Sequence, residues 1–117
     1  MGKDRYKRRN RRFLKVFHDM LDSPAWFAIS NAARVAYLHL AADYDGSPGK
    51  EARLRLPYSQ AEKLMTRKTF AKALRELQAK GFIQRTKAGG LYNNCSEYAL
   101  AQEYKSWKPD EQKNGQG

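Results

Sequence analysis

The clearest hydrophobic periodicity of this chain lies in residues 67–80, where apolar side chains recur at spacings of three and four. Such spacing predicts an amphipathic helix with one buried face. Thr66 is a favoured N-cap residue, and Gly81 is placed to end the helix. The predicted buried stripe consists of Phe70, Ala73, Leu74 and Leu77.

Three further segments upstream carry helical signals. Residues 13–21 hold six apolar residues in nine, and we expect them to begin extended, become helical and dock onto the domain. Ser23 followed by Pro24 is typical of a helix start, which predicts a short helix over residues 25–28 anchored by Trp26 and Phe27. A second serine, at position 30, precedes a broad apolar face that predicts a longer helix over residues 31–44.

The middle of the chain combines two short signals. Residues 53–56 alternate strictly between arginine and leucine, which predicts a short strand with the leucines inward. Ser59 and Glu62 have the spacing of a capping box, in which each side chain satisfies a backbone donor of the other residue. This spacing predicts a brief helix from Gln60 to Met65.

Two β-like runs, residues 82–87 and 92–100, enclose a segment with two adjacent glycines. This arrangement predicts an antiparallel hairpin with a glycine tip. Tyr92, Tyr98 and Tyr104 could stack on nucleic-acid bases, but packing on the hairpin face is the favoured interpretation. Taken together, the predicted elements indicate an α+β fold that is mainly α with a small hairpin.

The charge of the chain is concentrated in two blocks. The 117 residues include 23 Lys and Arg against 12 Asp and Glu, for a formal net charge of +11. Residues 1–12 and residues 59–87 each have a net charge of +6, whereas residues 13–58 are neutral. Because a concentrated basic surface attracts polyanions and releases their counterions, nucleic acid is the leading partner. The alternative is that the charge only keeps the protein in solution.

The second basic block displays its charge on a predicted helix. Lys68, Lys72 and Arg75 lie on the side opposite the buried stripe, with Arg67 beside them. The first block lacks apolar periodicity and is expected to be a flexible basic arm. Near the hairpin tip, Arg85 and Lys87 are expected to contact phosphates.

The sequence offers no pattern of catalysis or metal binding. His18, His39 and Cys95 do not occur at metal-ligand spacings, and no nucleophile has a recognisable base. We therefore expect neither an enzyme nor a metal or other cofactor. The longest apolar run, residues 25–29, is too short for a membrane span, and a single cysteine fits a reducing, intracellular compartment.

One stretch resembles a known class of domain. The segment TFAKALRELQAKGFI, residues 69–83, together with Tyr58 to Ala61, resembles the winged helix-turn-helix domains of bacterial plasmid and phage replication and regulatory proteins. The run Ser23 to Trp26, followed by Ile29-Ser30 and Ala33-Arg34, is similar to the N-terminal half of that group. The chain departs from the common pattern before the second helix, where Leu64 and Met65 replace the customary glycine and the turn is one residue shorter.

The resemblance implies a DNA-binding regulator of transcription or replication, acting in the cytoplasm on nucleoid or mobile-element DNA. Helix 67–80 would enter the major groove, the wing of residues 82–100 would touch flanking DNA, and the arm would follow the backbone or a minor groove. The division expected is an arm over 1–12, a winged-helix domain over 13–108 and a disordered tail over 109–117. The candidate DNA-binding residues are Arg67, Lys68, Lys72, Arg75, Arg85, Lys87, Arg8, Arg9, Arg11 and Arg12.

Two questions stay open at the level of sequence. A basic winged helix could instead be a docking module for a protein partner or for structured RNA. Leu14, Phe17 and Leu21 could form the seam of a homodimer or cover the core of a monomer.

Overall fold

The computed structural model describes residues 12–89 and 95–109. Within them, five α-helices precede a two-stranded antiparallel sheet, which confirms the predicted α+β class. The helices are α1 (His18–Leu21), α2 (Pro24–Ala28), α3 (Asn31–Ala41), α4 (Tyr58–Ala61) and α5 (Arg67–Ala79), and the strands are β1 (Ile83–Lys87) and β2 (Glu97–Leu100). Short 3₁₀ turns occupy Lys50–Ala52 and Glu103–Ser106.

Side-chain caps define where three of the helices begin. Ser23, Ser30 and Thr66 precede α2, α3 and α5, and each side-chain oxygen accepts a hydrogen bond from the backbone N–H three residues later. All three caps were predicted and are confirmed. Helix α3 ends at Ala41, three residues before the predicted Tyr44, and α5 ends at Ala79 with Lys80 as its C-cap residue.

The core forms where α3 packs against α5. On α5, the predicted stripe is confirmed, with Leu74 half-buried and the other three residues buried. Helix α3 contributes mostly small residues, which let the two helices approach closely. The buried residues of α3 are Ala33, Ala36, Tyr37, Leu40 and Ala41.

An aromatic cluster centred on Phe82 joins the helices to the C-terminal turn. The Phe82 ring lies edge-on to Trp26 and Tyr37, with centroid distances of 5.7 and 5.9 Å, and stacks on Tyr104 at 4.9 Å. Trp26 thus anchors α2 to the core, as predicted. The matching expectation for Phe27 is wrong, because consecutive helical residues point about 100° apart and α2 turns Phe27 into solvent.

Gly81 has the left-handed backbone that the end of α5 requires, with φ of +86°. It also lies against the second 3₁₀ turn, where the Tyr104 N–H donates a hydrogen bond to the Gly81 carbonyl oxygen at 3.1 Å. A Cβ atom at this position would lie 2.6 Å from the Tyr104 backbone nitrogen. The turn therefore requires glycine for two independent reasons.

The hairpin pairs Ile83 with Leu100 and Arg85 with Tyr98, with a bulge between Arg85 and Lys87. The predicted strand over residues 53–56 is reduced to a single bridge, in which Leu54 exchanges two backbone hydrogen bonds with Tyr98. The backbone N–H of the next residue, Arg55, faces away from β2 and donates to the Asp43 carboxylate at 2.9 Å. Leu54 and Leu56 are both buried, as expected.

The predicted capping box is wrong. Helix α4 begins two residues earlier than predicted, after Pro57, and places Ser59 inside the helix rather than at its cap. Glu62 follows as the C-cap residue, and its N–H donates to the Tyr58 carbonyl oxygen at 2.7 Å. Pro57 favours the early start because its ring presets φ and its missing donor is not needed at a helix terminus.

The N-terminal segment docks only in part. Residues 12–17 form no helix, and α1 buries Met20, while Val16 is half-buried against the core. Phe13 and Phe17 are exposed, so the expectation that the whole apolar group packs onto the domain is wrong. Tyr98 and Tyr104 are buried, as the packing interpretation predicts, and Tyr92 lies outside the described residues.

Candidate nucleic-acid interface

The outer face of α5 is positively charged. Lys68, Lys72 and Arg75 are exposed and lie on the side of the helix opposite the buried Phe70, Ala73 and Leu77. Among residues 12–89 and 95–109, none of the three is engaged in an ion pair. We call these three residues the basic face. Their charge is available to an external partner because no neighbouring acid within that part of the chain neutralises it.

The one acidic residue of α5, Glu76, is turned away from the basic face. Its carboxylate accepts hydrogen bonds from the backbone N–H of Ser30 at 2.8 Å and from the Ser30 hydroxyl at 3.0 Å. Ser30 is the N-cap residue of α3, so these contacts join the two central helices. The carboxylate that could weaken anion binding on α5 is thereby held against the start of α3.

Arg67 lies on the opposite flank of α5, at its first turn. Its guanidinium group stacks over the Tyr58 ring at 4.2 Å from the centroid, a cation–π contact that orients a planar donor group. Both residues line a groove of about 680 Å³ between α4, α5 and the start of β2. Its apolar floor includes Leu56 and Phe70, and Ser59 and Ser96 add hydroxyl groups.

The hairpin presents the two predicted basic residues to solvent. Arg85 and Lys87 are exposed on β1, on either side of the bulge. Two side-chain hydrogen bonds support this part of the sheet: Thr86 donates to the Ala52 carbonyl oxygen at 2.6 Å, and the Gly89 N–H donates to the Ser96 hydroxyl at 2.8 Å. The tip itself, residues 90–94, lies outside the described residues.

Of the predicted arm, only Arg12 belongs to the described residues. It is exposed, and its guanidinium donates a long hydrogen bond of 3.4 Å to the Ala42 carbonyl oxygen beyond α3. Arg8, Arg9 and Arg11 lie outside the described part of the chain.

The described segments contain no group of three or more His, Cys, Asp or Glu residues arranged to hold a metal ion. No helix in them combines the length and apolar character needed to cross a bilayer. Cys95 lines the groove, but burial raises the pKa of its thiol, which disfavours the reactive thiolate.

Comparison with models of protein families, with curated proteins and with solved structures found no significant match to this chain.

Two contacts at the candidate interface were missed at the level of sequence. Glu76 was not connected with Ser30, 46 positions earlier, because no local rule links a helix-interior acid to a distant cap. The stacking of Arg67 on Tyr58 was missed as well, because it depends on how α4 and α5 pack and has no local sequence pattern.

Proposed function

We propose that this chain is a winged-helix protein that binds double-stranded DNA by inserting α5 into the major groove. The order of elements supports the winged-helix assignment. A first helix (α3) is followed by a strand position (the Leu54 bridge), then by two helices (α4 and α5), and finally by a two-stranded wing (β1 and β2). The bridge adds a third strand position beside β2.

The observation that carries the DNA-binding proposal is the composition of the outer face of α5. Lys68, Lys72 and Arg75 project from a helix of 13 residues whose single acid is engaged by Ser30. A helix with its side chains is about 10–12 Å in diameter, and the major groove is about 12 Å wide, so the helix can lie within it. Lysine and arginine side chains there can reach both phosphates and guanine acceptors.

The remaining basic residues extend the contact on both sides. Arg67, stacked on Tyr58, is oriented at the N-terminal turn of α5, and in recognition helices this end approaches the bases. Arg85 and Lys87 on the wing are assigned to flanking phosphates, and the basic arm of residues 1–12 to the backbone or a minor groove. A role in transcription or replication on a mobile element is supported by the sequence resemblance alone.

The decisive experiment is selection of binding sites from a random duplex library by the full chain. We expect a short motif to be enriched, and we expect affinity for it to fall about a thousandfold between 50 and 200 mM salt, as counterion release at about six phosphates requires. Titration against scrambled duplex and structured RNA completes the test, because the deep, narrow groove of A-form RNA does not admit a helix. Equal affinity for RNA and duplex DNA, without enrichment, would overturn the proposal in favour of an RNA-docking module.

A further inference from the structure

Five large apolar side chains within a 15-residue stretch remain in solvent. Phe13, Phe17 and Phe27 are 87%, 53% and 70% exposed, and Leu14 and Leu21 are more than a third exposed. We call this group the apolar ridge. Isolated exposed apolar residues are ordinary on protein surfaces, but a concentration of phenylalanines marks an interaction site.

Three members of the ridge, Phe17, Leu21 and Phe27, belong to helices α1 and α2 or cap them. Helices α1 and α2 contact each other, and each is anchored by a buried residue, Met20 in α1 and Ala25 in α2. Phe17 is the N-cap residue of α1, and its carbonyl oxygen accepts hydrogen bonds from the N–H groups of Met20 and Leu21. Met20 and Ala25 thus attach the two helices to the core, while the side chains of the ridge stay exposed to solvent.

The size of the ridge can be compared with what a stable interface buries. An aromatic side chain buries about 150–250 Å², so the exposed parts of the three phenylalanines amount to about 400 Å². A standard interface buries about 800 Å² per partner, of which about 65% is apolar in homodimers. The phenylalanines therefore supply most of the apolar area that one side of such an interface needs, and the two leucines add to it.

We infer that the apolar ridge is the interface through which two copies of this chain associate. All five side chains are uncharged, which suits contact with the same apolar side chains of a second copy. A two-fold axis through the ridge would bring the same phenylalanines of both copies together. This inference goes beyond the proposed function and does not depend on it.

The dependence on salt distinguishes dimerisation from DNA binding. Each copy has a formal charge of +11, so two copies repel one another and added salt screens that repulsion. Self-association through the ridge is therefore expected to strengthen with salt, whereas binding to nucleic acid weakens with salt. The two properties can fail independently of each other.

The test is sedimentation equilibrium of the full chain without nucleic acid, across a wide concentration range and at low and high salt. We expect a monomer–dimer equilibrium that tightens with salt. The double substitution Phe17→Ser and Phe27→Ser should weaken it at least tenfold, since each buried phenyl ring contributes more than the roughly 1.4 kcal/mol that a tenfold change represents. Leu64→Ser is the matched control, because Leu64 is 41% exposed but lies outside the ridge.

Cross-linking gives an independent measurement that uses the single cysteine. In a Cys95→Ser background, Ala28→Cys, at an exposed position beside Phe27, should be joined into dimers by a short bismaleimide, and Leu64→Cys should not. Circular dichroism confirms that each variant is folded. A chain that stays monomeric at all concentrations, or a dimer that survives the double substitution unchanged, would overturn the inference.

Discussion

Glu76 on α5 accepts hydrogen bonds from both the backbone N–H and the hydroxyl group of Ser30, the residue that caps α3. The carboxylate also lies at the N-terminus of α3, where the helix dipole favours negative charge. One side chain thus joins the two central helices and is withdrawn from the DNA-binding surface that we propose. This relationship makes the orientation of α5 about its own axis dependent on a residue of α3.

A double-mutant cycle on Ser30 and Glu76 should reveal this coupling. Ser30→Ala removes the cap and one of the two bonds and should cost about 1–2 kcal/mol of unfolding free energy. Glu76→Ala should cost about 1 kcal/mol, and the double variant should cost less than the sum by about 0.5 kcal/mol or more. Urea denaturation measures all three, with Glu62→Ala as a control that removes an exposed acid. Strict additivity would contradict the coupling.

Charge reversal should locate the DNA-binding surface. Lys72→Glu combined with Arg75→Glu should lower affinity for a selected duplex at least a hundredfold, because two close phosphate or base contacts become repulsive. Lys105→Glu with Lys108→Glu changes the net charge equally at exposed positions outside α5 and should have a much smaller effect. Fluorescence anisotropy at fixed salt provides the measurement. Similar losses in both variants would point to charge alone, without a defined interface.

Substitution of Gly81 should destabilise the fold strongly. Gly81→Ala combines a left-handed backbone with a Cβ that would lie 2.6 Å from the Tyr104 nitrogen and 2.7 Å from the Glu103 carbonyl carbon, so we expect a loss above about 3 kcal/mol. Gly46→Ala is the matched control, because its φ of +88° is similar and its Cβ would meet nothing within 4 Å. That variant should lose only about 1–2 kcal/mol. Equal losses in urea denaturation would disprove the close approach.

The free energy of unfolding should fall at alkaline pH because of Tyr37. Burial, assisted by the neighbouring Tyr104, raises the pKa of Tyr37 to about 12, whereas an unfolded tyrosine titrates near 10. The stability that this difference provides is complete below pH 10 and is lost as the pH rises through 12. Stability curves from pH 8 to 12 should therefore fall less steeply for Tyr37→Phe than for the unsubstituted chain. Leu64→Ser, which adds or removes no ionisable group, should leave the slope unchanged.

Much of the helical framework could be predicted from local sequence. The helix caps are an example, found at Ser23, Ser30 and Thr66. Each hydroxyl oxygen accepts a hydrogen bond from the backbone N–H three residues later, so the contact involves only neighbouring residues. The stripe of α5, and with it the exposure of Lys68, Lys72 and Arg75, depends only on helical periodicity. These features were predictable because the residues involved lie within a few positions of each other.

Tertiary contacts decided the features that sequence reasoning missed or mistook. The strand predicted over residues 53–56 is reduced to one bridge, because in the fold only Leu54 pairs with β2, at Tyr98. Phe27 is exposed because the space beside Phe82 is filled by Trp26 and Tyr37. By itself the sequence determined which faces are apolar or basic, since that follows from side-chain spacing. Tertiary packing alone decided which distant residues come into contact, as when it places the Glu76 carboxylate within hydrogen-bond distance of Ser30.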